Sequence, residues 1–175
     1  MEWIKSITFT ILLSLLFSYI GAQQHIIRPA VGEMAPNIEL LGFKGDTIRL
    51  SDLRGKVVFV DFWASWCRTC RVENKNVRQA YLTYRDSTFD IGQGFDVYSV
   101  SLDTDSSVWH KAIKNDHLAW PNHVSDFKKW NSPLVQSYNF RYLPHNVLID
   151  SSGRIIAKGL FGNKLSQLLA QHVTE

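Results

Sequence analysis

Hydrophobic side chains cluster in short runs along the chain, and the spacing within each run predicts an element. Residues 57–63 are β-branched or aromatic apart from Asp61, which is typical of a strand buried on both faces of a sheet. Residues 95–102 predict a second strand of the same kind. Between these strands, hydrophobic side chains recur at helical spacing and predict a helix from about Cys67 to about Tyr84.

The other segments complete an alternating pattern. Turn residues within 32–50 predict a small N-terminal hairpin, and helix-capping residues at 103–106 begin a second helix. The segment 86–94 is interpreted as a loop, and no strand is predicted between Pro121 and Ser132. A short helix begins at Ser132 and Pro133, a hairpin covers 146–159, and leucines then mark a final amphipathic helix. This order predicts an α/β fold with a central mixed sheet flanked by helices.

The first 22 residues have the pattern of a secretory signal peptide. A polar start is followed by an apolar run over 7–20 and by the small residues Gly21 and Ala22. The run is shorter than the ~20 apolar residues that comfortably span a bilayer. We expect a cleaved leader over 1–22, with an uncleaved N-terminal anchor as the alternative, a flexible tail over 23–31 and one domain over 32–175. In either case, we expect the domain to lie in the periplasm or cell envelope.

Composition and charge are those of an ordinary globular domain. The net charge is +3 and the positive charges are scattered, so no stripe of lysine and arginine indicates a nucleic-acid partner. No nucleotide or flavin fingerprint is present. We therefore expect no nucleic acid, no metal and no cofactor other than a redox-active disulfide, and we expect a monomer.

Cys67 and Cys70 are the only cysteines of the chain, and they lie three positions apart at a predicted helix start. An exported compartment allows a disulfide to persist, but a loop this short contributes little to folding, so redox chemistry explains the pair better. A helix start lowers the pKa of a thiol, to roughly 3.5–7.5 in known cases. Arg68 and Arg71 add positive charge nearby. We assign Cys67 as the attacking thiolate and Cys70 as the resolving thiol.

Three stretches carry a family resemblance. Residues 59–70 resemble the active-site strand and turn of thioredoxin-fold proteins, and 142–153 resemble their proline loop and following hairpin. Ala35–Pro36 and residues 50–58 resemble the start of the TlpA-like, ResA-type thiol:disulfide interchange branch, which works in bacterial envelopes and neighbours the AhpC/TSA peroxiredoxins. The resemblance covers about residues 32–175. It implies a thioredoxin-like fold with an extra N-terminal hairpin and a thiol:disulfide oxidoreductase activity.

The resemblance also implies roles for single residues. Pro144 would be a cis-proline that faces the disulfide and presents the Leu143 backbone to an extended substrate; a trans proline that begins a strand is the alternative. Asp61 would be a buried acid that accepts the proton of Cys70, or else a strand-end residue satisfied by backbone N–H groups. Glu73 matches a glutamate frequent in the TlpA-like branch, or else occupies a solvated helix position.

Two departures from the family pattern concern the site. The dipeptide between the cysteines is Arg68–Thr69 where many relatives have Gly-Pro, and because this dipeptide tunes the redox potential, the strength as reductant or oxidant does not transfer. Lys75 replaces a proline that usually kinks the helix. Trp66, beside the first cysteine, is expected to shape the substrate surface. His145 is expected to be a loop residue rather than a site residue.

The leading hypothesis is an exported carrier in which Cys67 attacks a disulfide of a client protein and Cys70 resolves the mixed disulfide. A membrane thiol donor would regenerate the reduced form. A thiol peroxidase is the alternative, although the Pro-x-x-x-Thr/Ser-x-x-Cys signature is absent before Cys67. A non-enzymatic metal-binding or adaptor module is a third, although two thiols supply only half of a tetrahedral zinc site. Cytochrome c maturation, general disulfide repair and service to one partner remain open.

Overall fold

A five-stranded mixed β-sheet forms the centre of the computed structural model, which describes residues 29–174. In chain order the strands are β1 (Glu39–Leu41), β2 (Thr47–Arg49), β3 (Val57–Trp63), β4 (Thr88–Phe89), β5 (Gly92–Gln93), β6 (Phe95–Ser101), β7 (Asn122–Ser125), β8 (His145–Ile149) and β9 (Ile155–Lys158). The α-helices are α1 (Arg68–Tyr84), α2 (Ser106–Asn115), α3 (Pro133–Ser137) and α4 (Lys164–His172). Short 3-10 helices span Leu50–Leu53 and Lys129–Asn131. The predicted leader and residues 23–28 of the predicted tail lie outside the described residues.

The sheet has the strand order β7-β6-β3-β8-β9, with β3 at its centre. Strand β3 pairs in parallel with β6 and antiparallel with β8, and all seven of its residues are buried. A strand enclosed on both faces explains why its sequence is almost continuously hydrophobic. The central mixed sheet and the extra N-terminal hairpin (β1–β2) are therefore confirmed.

Helix α1 follows β3 after a four-residue turn. Its bounds agree to within one residue with the helix predicted from about Cys67 to about Tyr84. Its buried side chains, Cys70, Asn74, Val77 and Ala80, recur every three or four positions and form one stripe against the sheet. Cys67 is the N-cap residue with extended backbone geometry. The second cysteine therefore lies on the buried face of the helix, while the first stands at its start.

Two elements differ from the sequence prediction. Strand β7 forms one edge of the sheet although it contains the polar residues Asn122, His123 and Ser125, all buried. Their polarity hides the strand from a hydrophobic pattern, and Asn122 and Ser125 donate hydrogen bonds to Asp96 and to the Ser101 carbonyl. The segment interpreted as a loop over 86–94 contains the hairpin β4–β5, whose strands are two residues long. Two residues are too few for any periodicity.

The segment before β3 crosses the whole sheet. Met34 forms a bridge with Arg154 beside β9, and Gly42 forms a bridge with Val124 in β7 at the opposite edge. Between these points, Ile38 is only 1% exposed, and its carbonyl accepts a hydrogen bond from the Tyr98 hydroxyl. Among residues 29–174, no helix combines the length and hydrophobicity that crossing a membrane requires.

Candidate active site

A disulfide joins Cys67 and Cys70 at the start of α1, with an S–S distance of 2.03 Å. The Cys70 backbone N–H donates to the Cys67 sulfur at 3.2 Å, so this sulfur takes the place of an N-cap acceptor. Cys67 is 7% exposed and Cys70 only 1%. The geometry therefore favours Cys67 as the sulfur that another molecule can reach.

Asp103 fixes the turn that precedes the disulfide. Its buried carboxylate accepts hydrogen bonds from the Ser65 hydroxyl at 2.6 Å, the Ser65 N–H at 3.0 Å and the Ser101 hydroxyl at 2.7 Å. Sequence reasoning placed Asp103 only in a run of capping residues, but the N-cap of α2 is Asp105. No spacing in the sequence indicates this role, because the bonded residues come from two different strand ends.

Arg71 does not add free positive charge to the site, contrary to the expectation from its position. Its guanidinium forms a two-pronged ion pair with the Asp116 carboxylate and donates a further bond to the Ser65 carbonyl at 3.3 Å. Asn74 also donates to Asp116, at 3.0 Å. The negative charge of Asp116 offsets that of Arg71, and the pair instead joins the start of α1 to the end of α2.

Arg68 and Thr69, the dipeptide between the cysteines, are both exposed in the first turn of α1. In the described part of the chain, no carboxylate lies within ion-pair distance of Arg68. The Thr69 hydroxyl lies 3.4 Å from the Cys67 sulfur. The dipeptide thus places one unpaired cation and one hydroxyl next to the reactive sulfur.

Asp61 lies on the face of the sheet that α1 covers. Its neighbour in β3, Phe62, points to the other face, where its ring contacts Tyr138 and Phe140 at centroid distances of 4.8 and 4.7 Å. Asp61 is paired across the sheet with Asn146, and the charge of Glu73 in α1 acts on it. The acid is therefore beneath the same helix that carries Cys70.

Burial raises the pKa of Asp61 to about 7, and the nearby Glu73 carboxylate contributes in the same direction. Asp61 is 4% exposed, and within residues 29–174 no hydrogen-bond donor reaches its carboxylate oxygens. The alternative interpretation required backbone N–H groups to bond to the Asp61 carboxylate, and they do not. An acid with this pKa exchanges a proton readily near neutral pH.

Glu73 is not a freely solvated helix residue. One of its carboxylate oxygens accepts hydrogen bonds from the Gly162 N–H at 2.8 Å and from the Asn76 amide at 3.2 Å. Asn146 holds the same connection between β9 and α4, since its side chain exchanges two hydrogen bonds with Leu160, at 2.7 and 3.2 Å. Glu73 and Asn146 therefore fix this connection next to Asp61, an arrangement that no local pattern predicts.

The Leu143–Pro144 peptide bond is cis, the conformation that the resemblance implied. Strand β8 begins at the next residue, His145, which pairs with Phe62 near the end of β3, so the proline loop and the disulfide share one end of the sheet. In the structure as described, neither the N–H nor the C=O of Leu143 has a hydrogen-bond partner. Leu143 thus offers a free backbone edge beside the active site.

Trp66 is 49% exposed immediately before Cys67. The ammonium group of Lys129 lies 5.3 Å from the centroid of the Trp66 ring, and the ring of Trp130 lies at 6.4 Å. His145 is the first residue of β8 and not the loop residue that was expected. It stacks on Phe140 at 4.8 Å on the face away from Asp61, and burial lowers its pKa to about 4. The part of the chain that the structure covers holds no cluster of three His, Cys, Asp or Glu side chains suited to a metal ion.

Comparison with known proteins identifies this arrangement. Residues 31–158 match the AhpC/TSA family. The thiol-disulfide oxidoreductase ResA of Geobacillus kaustophilus is 31% identical over 126 residues, which is 72% of this chain and 67% of that protein. ResA of Bacillus cereus is 27% identical over 128 residues, covering 73% of this chain and 68% of that protein.

Solved structures agree. The thioredoxin domain of a thiol-disulfide oxidoreductase from Bacteroides vulgatus is 35% identical and superposes with a TM-score of 0.73, covering 81% of this chain and 96% of that chain. A thiol:disulfide interchange protein from Bacteroides sp. is 34% identical, with a TM-score of 0.72 and coverage of 83% and 91%. The chain therefore belongs to the AhpC/TSA family, as a TlpA-like, ResA-type thiol-disulfide oxidoreductase with a thioredoxin fold.

Proposed function

We propose that this oxidoreductase is exported and reduces disulfides in client proteins of the cell envelope. The observation that carries the proposal is the Cys67–Cys70 pair at the start of α1, above a buried acid, Asp61, whose pKa is about 7. The leader pattern over residues 1–22 supports export. An oxidising compartment supplies disulfides on which such a pair can act.

The reaction begins with the reduced protein. The Cys67 thiolate attacks one sulfur of the client disulfide, forms a mixed disulfide, and releases the other client sulfur as a thiolate that takes up a proton. The helix start, the unpaired Arg68 and the Thr69 hydroxyl all favour the anionic form of Cys67. These contacts support Cys67 as the attacking group.

Resolution requires a second proton transfer. Asp61 accepts the proton of the Cys70 thiol, and the resulting thiolate attacks the Cys67 sulfur and displaces the client as its second thiol. Two electrons pass to the client, the enzyme disulfide forms, and the client gains two thiols. Because Asp61 has no hydrogen-bond donor among residues 29–174, its carboxylate is free to bind this proton.

The neighbouring surface supports a polypeptide substrate. The free N–H and C=O of Leu143, before Pro144, can bond to an extended client segment as an added strand would. Trp66 offers apolar area beside the reactive sulfur. In this scheme the Cys67–Cys70 disulfide is itself the redox group and no bound cofactor takes part. A membrane thiol donor that reduces the disulfide would complete the cycle for a monomeric carrier.

Trapping with Cys70→Ser in the natural host tests the proposal. This variant should accumulate mixed disulfides through Cys67, and identification of the trapped proteins would give the clients and, by their membrane location, the donor. The Cys67→Ser/Cys70→Ser variant is the control and should trap nothing. A Cys70→Ser protein that traps no exported protein would contradict the proposal, and rapid peroxide consumption by the purified protein would indicate a peroxidase instead.

A further inference from the structure

An exposed strip of aromatic and cationic side chains continues from the disulfide across the loop before α3 to the proline loop. We call this strip the basic–aromatic surface, and it consists of Trp66, Arg68, Lys129, Trp130, Arg141 and Tyr142. Tyr142 is 70% exposed, and Trp130 is 39% exposed. Large aromatic side chains with this exposure are typical of contact surfaces rather than of free solvent-facing loops.

Two clefts give the basic–aromatic surface its shape. A cleft of about 510 Å³ is lined by Trp130, Phe140 and Arg141 among others. A second cleft of about 280 Å³ shares Phe140 and Arg141 and extends to Tyr142, next to the Leu143–Pro144 bond. The Trp130 ring lies 6.4 Å from that of Trp66, and Tyr142 directly precedes Leu143, so the two adjoining clefts offer a path for one extended chain between these residues.

The charges of this region are almost all positive. Arg68, Lys128, Lys129 and Arg141 are exposed, and within residues 29–174 none of them has a carboxylate at ion-pair distance. The acid nearest to them in sequence, Asp126, is half-buried and accepts a hydrogen bond from the Lys128 N–H at 3.1 Å. Four unpaired cations on or beside this surface create a field that attracts negative charge.

Three residues in or beside the basic–aromatic surface have an unusual backbone conformation. Phe127, Lys129 and Asn139 have positive φ angles of 56°, 53° and 50°. Non-glycine residues seldom adopt this region, and such residues cluster where function requires a particular geometry. Lys129 is the residue whose ammonium group lies over Trp66, and Asn139 lines both clefts.

From these observations we propose that the basic–aromatic surface binds an extended client segment that carries acidic side chains beside its disulfide. The acidic side chains pair with Lys129 and Arg141, and a large apolar side chain enters the cleft between Trp130 and Phe140. This inference rests on the proposed function and adds to it the chemistry of the preferred client. Charge complementarity raises the rate of encounter more than it raises final affinity, so the preference is a kinetic one.

The test compares three disulfides with the purified reduced protein. Two are cystine peptides that each contain one Phe and differ only in the four residues flanking the disulfide, which are Glu in one peptide and Lys in the other. The third is the neutral bis(2-hydroxyethyl) disulfide. Stopped-flow rates should be about tenfold higher for the acidic peptide than for the basic one at low salt. The difference should vanish near 0.5 M salt, because screening removes long-range attraction.

Variants identify the residues responsible. Lys129→Glu/Arg141→Glu should reverse the preference, while Lys44→Glu/Lys111→Glu, which changes the net charge equally at exposed positions outside this surface, should retain it. Trp130→Ala should slow both peptides alike. The rate with the neutral disulfide reports whether each variant is folded and active, and the ratio of each peptide rate to this rate isolates the effect of the surface.

The outcomes separate the two proposals. Equal rates for the acidic and basic peptides at low salt, with normal reduction of the neutral disulfide, would overturn the assignment of this surface and leave the proposed function intact. A preference that survives in Lys129→Glu/Arg141→Glu would overturn it as well. Absence of exchange with every disulfide would overturn the proposed function and the client preference that rests on it.

Discussion

Two buried aspartates stand near the cysteines, and their hydrogen bonds give them different roles. Asp103 accepts bonds from Ser65 and Ser101, so its charge is satisfied and it acts as an anchor for the active-site turn. Asp61 has no such donors in the described part of the chain, and burial raises its pKa to about 7. Only Asp61 is therefore suited to exchange protons during turnover.

Asp61→Asn is expected to slow resolution of mixed disulfides at least about tenfold at pH 7, because an amide cannot accept the Cys70 proton. In the unaltered protein, the resolution rate should rise with pH through the Asp61 pKa of about 7. The variant should lack this rise and recover only in more alkaline solution, where hydroxide removes the proton. Single-turnover release of a client peptide from a preformed mixed disulfide measures both profiles, and identical profiles would contradict the role.

The same variant should stabilise the oxidised protein at alkaline pH. The pKa of Asp61 rises from 3.8 to about 7 on folding, so the folded state binds more protons between these values and stability falls as pH increases. The shift corresponds to about 4 kcal/mol, which is the upper limit of the gain in Asp61→Asn at pH 8. At pH 4 the ionisation of Asp61 should cause almost no difference in unfolding free energy between the two proteins.

Denaturant unfolding at both pH values measures this effect. His123 and His145, whose pKa values burial lowers to about 4, destabilise the folded protein as pH falls below 6.5. They are present in both proteins and cancel in the difference. A difference in unfolding free energy that does not grow from pH 4 to pH 8 would rule out a raised Asp61 pKa.

Thr69 offers a test of the dipeptide between the cysteines. Its hydroxyl lies 3.4 Å from the Cys67 sulfur, and a hydroxyl that donates to a thiolate stabilises it. Thr69→Val should lower the rate of iodoacetamide alkylation of reduced Cys67 at pH 6 about three- to tenfold, the range for an ordinary hydrogen bond rather than for a buried bond to a charged group, since Thr69 is exposed. Thr69→Ser retains the hydroxyl and should behave as the unaltered protein does. Equal rates for all three would exclude the hydrogen bond.

Among the elements, those that touch the disulfide are the ones that the sequence predicts best. Strand β3 is an almost continuous hydrophobic run and helix α1 has a clear helical periodicity. The cysteines and Asp61 lie at or near the ends of these elements, and Pro144 lies in a loop that resembles the family's proline loop. Strand β7 was missed because its buried polar residues find partners on β6. Likewise, the partners of Arg71 and Glu73, at Asp116 and Gly162, are 45 and 89 positions away, and no local pattern reports such distant pairs.

The junction between α1 and α2 can be tested through Asp116. Its carboxylate accepts bonds from Arg71 and Asn74, and the two side chains of the ion pair are 30% and 15% exposed. Asp116→Ala should destabilise the protein by about 2 kcal/mol, since it leaves a half-buried guanidinium without its partner. Asp86→Ala removes a far more exposed pair with Arg85 and should cause no measurable change. Equal unfolding midpoints in denaturant for both variants would show that the Asp116 contacts do not contribute to stability.

At the scale of the whole molecule, the segment before β3 protects both edges of the sheet. Gly32 and Glu33 bond to Ile155 at one edge, and Phe43 bonds to His123 at the other. An extended chain of eight residues reaches about 26 Å. Four strand spacings amount to about 19 Å, so residues 34–42 are long enough to cross the sheet. Edge positions that these contacts occupy cannot pair with other chains, which lowers the risk of edge-to-edge association.

Ile38 is the residue at which this crossing segment enters the core. Its side chain is 1% exposed, and its carbonyl accepts a hydrogen bond from the Tyr98 hydroxyl. Ile38→Ala should cost about 2–4 kcal/mol of unfolding free energy, the range for truncating a buried aliphatic side chain. Val31→Ala, just before this segment and at a residue that is 60% exposed, should have no measurable effect. Denaturant unfolding of the oxidised proteins compares the two. If Ile38→Ala were as stable as Val31→Ala, the segment would be an appendage rather than part of the core.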